Sequence, residues 1–243
     1  MGEALPGAAA FATTHWSVVL EAGQADPQRA AQALETLCRT YWYPTYAFVR
    51  RLGHGPHEAQ DLAQGFFARL LERGDFAAIS RDKGRFRSYL LTALKHFIAN
   101  ERQRERAEKR GGGKPPIALD SLLAEERYRL EPVDALSADK IFERRWALTL
   151  LERVLERMGK DYSSADNRQL FERLKELLSD EPGRPSQAEL AAALGMTENA
   201  VKQAFHRFRV RYRQLLREEI AQTLATPGEI EEELKYLVGV LRG

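Results

Sequence analysis

Residues 186–213 read SQAELAAALGMTENAVKQAFHRFRVRYR, and this stretch sets the architecture of the C-terminal part of the chain. Ser186 and Glu189 have the spacing of a capping box, which predicts the start of a helix. Gly195 ends that helix, because glycine tolerates the left-handed backbone found at helix ends. Thr197 can then cap a second helix. The spacing predicts two helices joined by a tight turn.

The second predicted helix has two distinct faces. Val201, Ala204, Phe205 and Phe208 recur at three- and four-residue spacing and are expected to pack on the first helix. The opposite face carries amides and cations, and its candidate contact residues are Thr197, Glu198, Asn199, Lys202, Gln203, His206, Arg207 and Arg209. This is the layout of a helix-turn-helix, whose second helix enters the DNA major groove. Asn and Gln can read base edges, while Arg can read guanine or hold phosphate.

An ordinary helical hairpin with a solvated basic face is the alternative. The Gly-x-Thr turn and the one-sided distribution of the cations favour DNA binding.

The net charge of the 243-residue chain is only +2, but it hides two basic segments. Residues 81–110 contain ten Lys or Arg against four Asp or Glu, and residues 197–217 contain six against one. The tail at residues 229–233 is acidic instead. Two separate basic surfaces fit two contacts with one polyanion better than a single diffuse patch does.

Composition and motifs exclude several classes of protein. The single cysteine, Cys38, excludes an internal disulfide, and no Cys/His cluster has the spacing of a zinc site. Walker loops, HExxH and nucleophile motifs are absent, so an enzyme is not expected. No apolar run approaches membrane-spanning length, and the N-terminus lacks the features of a signal peptide. We expect a cytoplasmic protein without a cofactor or membrane partner.

Strand-like alternation is absent, which predicts an all-α fold. Three Gly and two Pro at residues 111–116 cannot continue a helix, so a flexible linker starts there. Helices are expected at residues 14–23, 27–52, 56–71, 85–110, 140–159, 166–179, 186–194, 197–222 and after residue 228. The predicted organisation is a tail at 1–13, a helical domain at 14–110, a linker at 111–139, a second helical domain at 140–223 and a helical extension at 224–243.

The first domain carries an acidic helix face followed by an aromatic and basic helix. Glu58, Asp61 and Gln64 lie three residues apart and share one face. After a loop at residues 73–84, aromatic residues alternate with Arg, Lys, His and Asn up to residue 106. Such interleaving suits single-stranded DNA, because bases stack on rings while cations follow the phosphates. Taken one at a time, most of these aromatic residues are expected in the core.

These two blocks resemble the extracytoplasmic-function (ECF) subfamily of the sigma-70 class of RNA polymerase sigma factors. EAQDLAQGFFARLL at residues 58–71 and KGRFRSYLLTALKHFIANERQRERAEKR at residues 83–110 are similar to region 2 of that family. PSQAELAAALGMTENAVKQAFHRFRVRYRQLLREE at residues 185–219 is similar to region 4. The order of the blocks and the linker between them also match, so the resemblance implies a region 2-like bundle and a region 4-like helix-turn-helix.

The resemblance implies a role for each block. The acidic helix would bind core RNA polymerase through Glu58, Asp61, Leu62, Gln64 and Phe67. The loop and the basic helix would bind the melted non-template strand of the minus-10 element through Ser80, Arg81, Lys83, Arg85, Phe86, Arg87, Lys95, Asn100 and Arg104. The eight polar residues of the helix-turn-helix, Thr197 to Arg209, would bind double-stranded promoter DNA at the minus-35 element.

Control of activity is open in the sequence. Gln60 stands where the family often has a second carboxylate, which implies weaker core binding and an activating event or partner. An anti-sigma factor, a kinase and simple expression control are all compatible with the chain. The acidic C-terminal extension would either shield the recognition helix or pack on the second domain through Leu234, Leu237 and Leu241.

Two rival functions explain less of the sequence. A stand-alone helix-turn-helix regulator accounts for residues 186–213 but leaves the acidic and the aromatic-basic helices of the first domain without a role. A helical scaffold accounts for the helices but not for two basic faces, and its DNA binding would show no salt dependence worth measuring.

Overall fold

A computed structural model gives the fold of the chain. It describes residues 27–73, 85–107, 121–129, 136–162, 165–178, 183–224 and 227–242. The helices are α1 (Pro27–Arg51), α2 (Pro56–Arg73), α3 (Phe86–Ala107), α4 (Ser121–Arg129), α5 (Ala138–Lys160), α6 (Ala165–Glu176), α7 (Gln187–Leu194), α8 (Glu198–Ala221) and α9 (Ile230–Arg242), the last preceded by a 3-10 turn at Pro227–Glu229. No strand occurs within these ranges, in agreement with the predicted all-α class.

The helices form two compact units. The first unit contains residues 1–149 and 220–243, and the second contains residues 150–219. Both α5 and α8 run from one unit into the other, because their continuous helices span the boundaries. The predicted helix at residues 14–23 and the predicted loop at 73–84 lie outside the described residues, apart from Arg73 at the end of α2.

Aromatic side chains form the core of the first unit. The ring of Tyr41 in α1 lies 5.1 Å from that of Phe86 in α3 and 6.4 Å from that of Phe142 in α5. Phe66 of α2 meets Phe97 of α3 at 5.7 Å. Contacts of this kind add to the burial of the rings, and they pack α3 and α5 on α1 and α2 on α3.

The second unit is built around apolar stripes of α5, α6 and α8. Val154, Met158, Leu174 and Phe208 are completely buried. The ring of Phe208 lies 5.9 Å from that of Phe171 and 6.4 Å from that of Tyr162. The apolar residues at three- and four-residue spacing on α8 therefore include Phe208, which packs on Phe171 of α6.

The predicted linker contains a helix that sequence analysis did not anticipate. In α4, Glu125 accepts hydrogen bonds from Tyr46 Oη at 2.7 Å and from Nε and Nη2 of Arg50, both at 3.0 Å. The Arg50 guanidinium also lies over the ring of Tyr128, 4.8 Å from its centroid. A stretch that has no long apolar face thus folds onto α1 through a bidentate ion pair and a cation–π contact.

Candidate nucleic-acid interface

The turn of the helix-turn-helix is formed by the residues that predicted it. The Glu189 N–H donates to Ser186 Oγ at 3.2 Å, and the Ser186 N–H donates to Glu189 Oε2 at 2.7 Å. The Ser186 hydroxyl also donates to Glu189 Oε2, at 2.9 Å. The backbone N–H of Ser186, as the larger cause, and this hydroxyl lower the pKa of Glu189. Gly195 ends α7 at φ 63° and ψ 28°, a left-handed conformation in which a Cβ would be strained. Thr197 Oγ1 then accepts the N–H of Ala200 and starts α8.

The polar face of α8 is exposed to solvent, as the sequence predicted. Val201, Ala204 and Phe208 are buried. The predicted minus-35 contact residues are all exposed, namely Thr197, Glu198, Asn199, Lys202, Gln203, His206, Arg207 and Arg209. Phe205, which was expected to pack on α7, is only half-buried, and Arg209 lies over its ring at 5.8 Å. One helix face therefore presents amides, an imidazole and cations to the solvent.

An ion-pair cluster in the second unit holds the position of α8 against α5. Arg157 donates to Glu219 at 2.7 Å and to Glu218 at 2.7 Å. Burial alone would lower the pKa of Arg157, but the two carboxylates outweigh it and the pKa is raised. Arg211, a further cation of α8, donates to Asp161 at 2.9 Å. These contacts join α8 to α5 and to Asp161, which directly follows α5.

The acidic face of α2 is partly exposed and partly core. Glu58 and Asp61 are exposed, Leu62 and Gln64 are half-buried, and Phe67 is buried. Glu58 pairs with His54 Nδ1 at 2.6 Å. Both carboxylates thus lie on the surface, whereas Phe67 packs beside Phe66, whose ring centroid is 5.3 Å away.

The middle and end of α3 present polar side chains to the solvent. Lys95, Asn100 and Arg104 are exposed, as predicted for a strand-binding face. Lys95 pairs with Asp139 at 2.5 Å, and Arg104 pairs with Glu101 at 3.2 Å. Ser80, Arg81 and Lys83, the other predicted contacts, lie outside the described residues.

The first turn of α3 differs from the prediction. Phe86 is a core residue with 1% of its surface exposed, and Arg87 is 5% exposed. Arg85 is partly exposed and makes ion pairs with Glu233 at 2.8 Å and Glu232 at 3.3 Å. Arg85, Phe86 and Arg87 were all predicted to contact the minus-10 DNA strand. In the structure both Phe86 and Arg87 are buried. The sequence did not predict this, since the spacing of cations does not reveal which of them face a carboxylate.

A cavity of about 170 Å³ lies between α2 and α3 beside the exposed part of α3. Its wall is partly aromatic and partly polar. It is formed by Phe66, Arg69, Leu70, Tyr89, Ala93, His96, Phe97 and Asn100. Tyr89 and His96 were not among the predicted contact residues, although the aromatic-cation alternation in α3 contained the signal for both. The mixed lining suits a planar group that stacks on rings and hydrogen-bonds at its edge.

The residues of α9 that contact α3 were missed by sequence analysis. Arg87 Nε donates to Glu233 Oε1 at 2.6 Å, and its guanidinium lies 3.7 Å from the ring centroid of Tyr236. Glu143 of α5 also pairs with Arg87, at 3.4 Å. The prediction considered α9 as a cover for α8 or as a helix packed on the second domain. Instead, its charged residues meet the start of α3, and residues 220–243 belong to the first unit.

Comparison of the chain with protein-family models, with curated proteins and with solved structures found no match. Within the described ranges, no group of three or more His, Cys, Asp or Glu side chains is placed to hold a metal ion. None of the helices in those ranges has the length and apolar character needed to cross a membrane.

Proposed function

We propose that this protein is an ECF-type sigma factor, which binds core RNA polymerase and directs promoter recognition, DNA melting and transcription initiation. The observation that carries the proposal is the exposed polar face formed by Thr197 and α8, with eight exposed polar residues beside a buried apolar stripe. This face follows the helix α7, which is capped at both ends, and the turn at Gly195. A helix of this kind is suited to the major groove, with Asn199 and Gln203 for bases and Arg207 for guanine or phosphate.

The first unit supports the proposal with two further surfaces. The exposed carboxylates Glu58 and Asp61 on α2 complement a basic partner, as the resemblance to region 2 implies for the polymerase. Lys95, Asn100 and Arg104 on α3 are exposed beside the aromatic cavity, an arrangement suited to a melted DNA strand. The polymerase and DNA contacts would thus come from different helices of one bundle.

A stand-alone helix-turn-helix regulator is the second candidate. The capped turn and the exposed face of α8 favour it equally, because they describe DNA binding alone. Such regulators usually act as dimers on palindromic sites. It leaves the acidic face of α2 and the cavity beside α3 without a function, which is why we place it second.

Co-elution with purified bacterial core RNA polymerase, followed by multi-round transcription, tests the proposal. Promoter-dependent transcripts that vanish without this protein are the expected result. Co-elution without transcripts would indicate a missing activator or a different promoter. Absence of co-elution, together with tight and salt-sensitive duplex binding, would support the stand-alone regulator instead.

Charge reversal on α2 distinguishes a specific contact with the polymerase from nonspecific binding. Glu58→Lys with Asp61→Lys should abolish co-elution, since two carboxylates facing a basic partner become repulsive. Glu152→Lys with Glu156→Lys makes the same change at two exposed positions of α5 in the second unit and should leave co-elution intact. Equal loss in both variants would remove α2 as the binding surface.

A further inference from the structure

The C-terminal helix α9 occupies the basic start of α3. Glu233 is 1% exposed, and its two carboxylate oxygens receive Arg87 Nε at 2.6 Å and Arg87 Nη2 at 3.4 Å. The same carboxylate pairs with Arg85 Nε at 2.8 Å. One buried carboxylate therefore serves two guanidinium groups that follow each other closely in the chain.

The surroundings of Arg87 complete this contact. Its guanidinium lies over the ring of Tyr236, 3.7 Å from the centroid, and over that of Trp146, 5.2 Å from the centroid. Burial raises the pKa of Tyr236 to about 12, and its hydrogen bond to Glu143 adds to that effect, so the ring stays neutral. Planar stacking on a ring together with a bidentate oxyanion is the way in which guanidinium groups also hold a nucleobase and a phosphate.

The cations held in this way are those expected on the path of DNA. Of the α3 residues predicted to bind the minus-10 strand, Arg85 and Arg87 are neutralised by α9, and Lys95 by Asp139 of α5. The exposed Glu232 adds a second carboxylate at 3.3 Å from Arg85. While α9 is in place, Arg87 is closed to a phosphate because it is only 5% exposed. Arg85 keeps 27% of its side chain exposed but already faces two carboxylates.

Few side chains of α9 are buried against the rest of the first unit. Only Ile230, Glu233 and Leu237 of this helix are buried. Its other apolar residues, Leu234, Val238, Val240 and Leu241, are half-buried or exposed. The ring contacts of the aromatic core join residues of α1, α2, α3 and α5, so release of α9 breaks none of them.

We propose that α9 is an intramolecular competitor of nucleic acid, which covers the start of α3 with Glu232 and Glu233 in the place of two phosphates. The inference rests on the proposed function, since it assigns α3 to DNA. It places α9 on the strand-binding face of the first unit and not on the recognition helix α8. A polyanion that binds α3 must displace α9, so the free protein binds single-stranded DNA more weakly than its cations allow.

A charge-neutralising pair of substitutions tests this in the full-length chain. We compare wild type with Glu232→Gln/Glu233→Gln, using a fluorescent mixed-sequence single strand of about 15 nucleotides. The variant should bind at least about five-fold more tightly, with a salt slope steeper by about 1.4, because two phosphate contacts on a single strand are gained at about 0.7 each. Glutamine keeps a hydrogen-bond acceptor beside Arg87.

Glu172→Gln/Glu176→Gln is the matched control. It removes the same two charges from exposed ion pairs of α6 in the second unit. An affinity and a salt slope for the α9 variant that equal those of this control would overturn the inference. Should the double variant unfold in circular dichroism, Glu232→Gln alone keeps the buried pair and is expected to give a smaller gain in the same direction.

Hydrogen exchange gives a test that needs no variant. Binding of the same oligonucleotide to wild type should increase exchange of the amides at residues 230–242, because the helix is displaced. Unchanged or slower exchange there, with the strand bound, contradicts displacement. Failure of the proposed function has a different signature: neither wild type nor variant would co-elute with core polymerase.

Discussion

Among single residues, Arg87 shows most clearly that a buried cation depends on a carboxylate partner. In the sequence it is one of ten Lys or Arg between residues 81 and 110. In the fold, burial lowers its pKa, but the hydrogen bond and charge of Glu233 outweigh this and raise it, so Arg87 stays cationic. A buried cation of this kind depends on its partner, because an uncompensated charge in the interior is costly.

Glu233→Ala should therefore lower the free energy of unfolding by about 3–5 kcal/mol, the cost of leaving a buried charge without its partner. Glu232→Ala, next in the chain but 72% exposed, should change it by less than about 1 kcal/mol. Chemical denaturation followed by circular dichroism measures both. Similar losses in the two variants would show that the buried pair has no special role. Arg87→Met combined with Glu233→Leu should recover much of the loss.

Glu189 gives a pH-dependent contribution to stability. Its pKa is lowered by the N–H and the hydroxyl of Ser186. The contribution is therefore present above the ordinary carboxyl pKa of about 4.3 and is lost as the pH falls through the lower native value. Wild type should melt at a higher temperature than Glu189→Gln at pH 7, and the difference should disappear in strong acid. A difference that grows on acidification would contradict the sign.

Among the elements, the helix-turn-helix is specified by local chemistry at both of its ends. The capping box at Ser186 starts α7, Gly195 stops it, and Thr197 starts α8. All of these contacts join residues that are five or fewer apart, so the spacing in the sequence is enough to predict them.

Gly195 and Gly239 should respond to alanine with opposite signs. Gly195→Ala should destabilise by about 1–2 kcal/mol, because a Cβ at φ 63° meets the following carbonyl. Gly239 lies in α9 with no atom within 4 Å of an added Cβ, so Gly239→Ala should stabilise by about 0.5–1 kcal/mol. Thermal melts of the two variants measure this. Stabilisation by both would mean that the left-handed turn is not needed.

Removal of cations from α8 should weaken duplex binding. Lys202→Ala and Arg207→Ala take exposed charges from the proposed recognition face, and each should reduce the salt slope by about 0.9 for one lost phosphate contact. If Arg207 reads a guanine, the loss is about 1–3 kcal/mol and falls on one sequence position. Arg173→Ala on α6 is the matched control. Affinity must be compared at one salt concentration, and unchanged binding in both variants would move the recognition surface elsewhere.

In the whole molecule, distant parts of the chain are held together by a few ion pairs with long sequence separation. Glu125 of α4 meets Tyr46 and Arg50, which lie more than seventy residues earlier. Glu233 meets Arg87 at a separation of 146 residues. The segment that contains α4 was predicted as a linker and the segment that contains α9 as an extension. Both belong to the first unit, which these contacts help to hold together.

Glu125→Ala should release α4 from α1. We expect faster hydrogen exchange at residues 121–129 and a loss of about 1–3 kcal/mol, as for other charged hydrogen bonds. Glu126→Ala, at the exposed neighbouring position, is the control and should leave exchange there unchanged. Protection of α4 that survives Glu125→Ala would mean that apolar contacts, for example of Ala124, hold it instead.

The sequence alone was sufficient for the all-α class, for most helix bounds within a few residues and for the exposed face of α8. Periodicity and capping depend on residues one turn apart, and no distant partner is needed to recognise them. The same local signal indicated that Lys95, Asn100 and Arg104 face solvent.

The tertiary structure was needed for α4, for the fate of Arg85, Phe86 and Arg87, and for the position of α9. A cation has the same local signature whether it faces water or a carboxylate 146 residues away. Which of the two occurs depends on the closure of long loops and on the shape of the packed core, and neither leaves a periodic trace in the chain. The start of α3 is therefore covered because the fold brings Glu233 to it, a proximity that arises only when the helices pack.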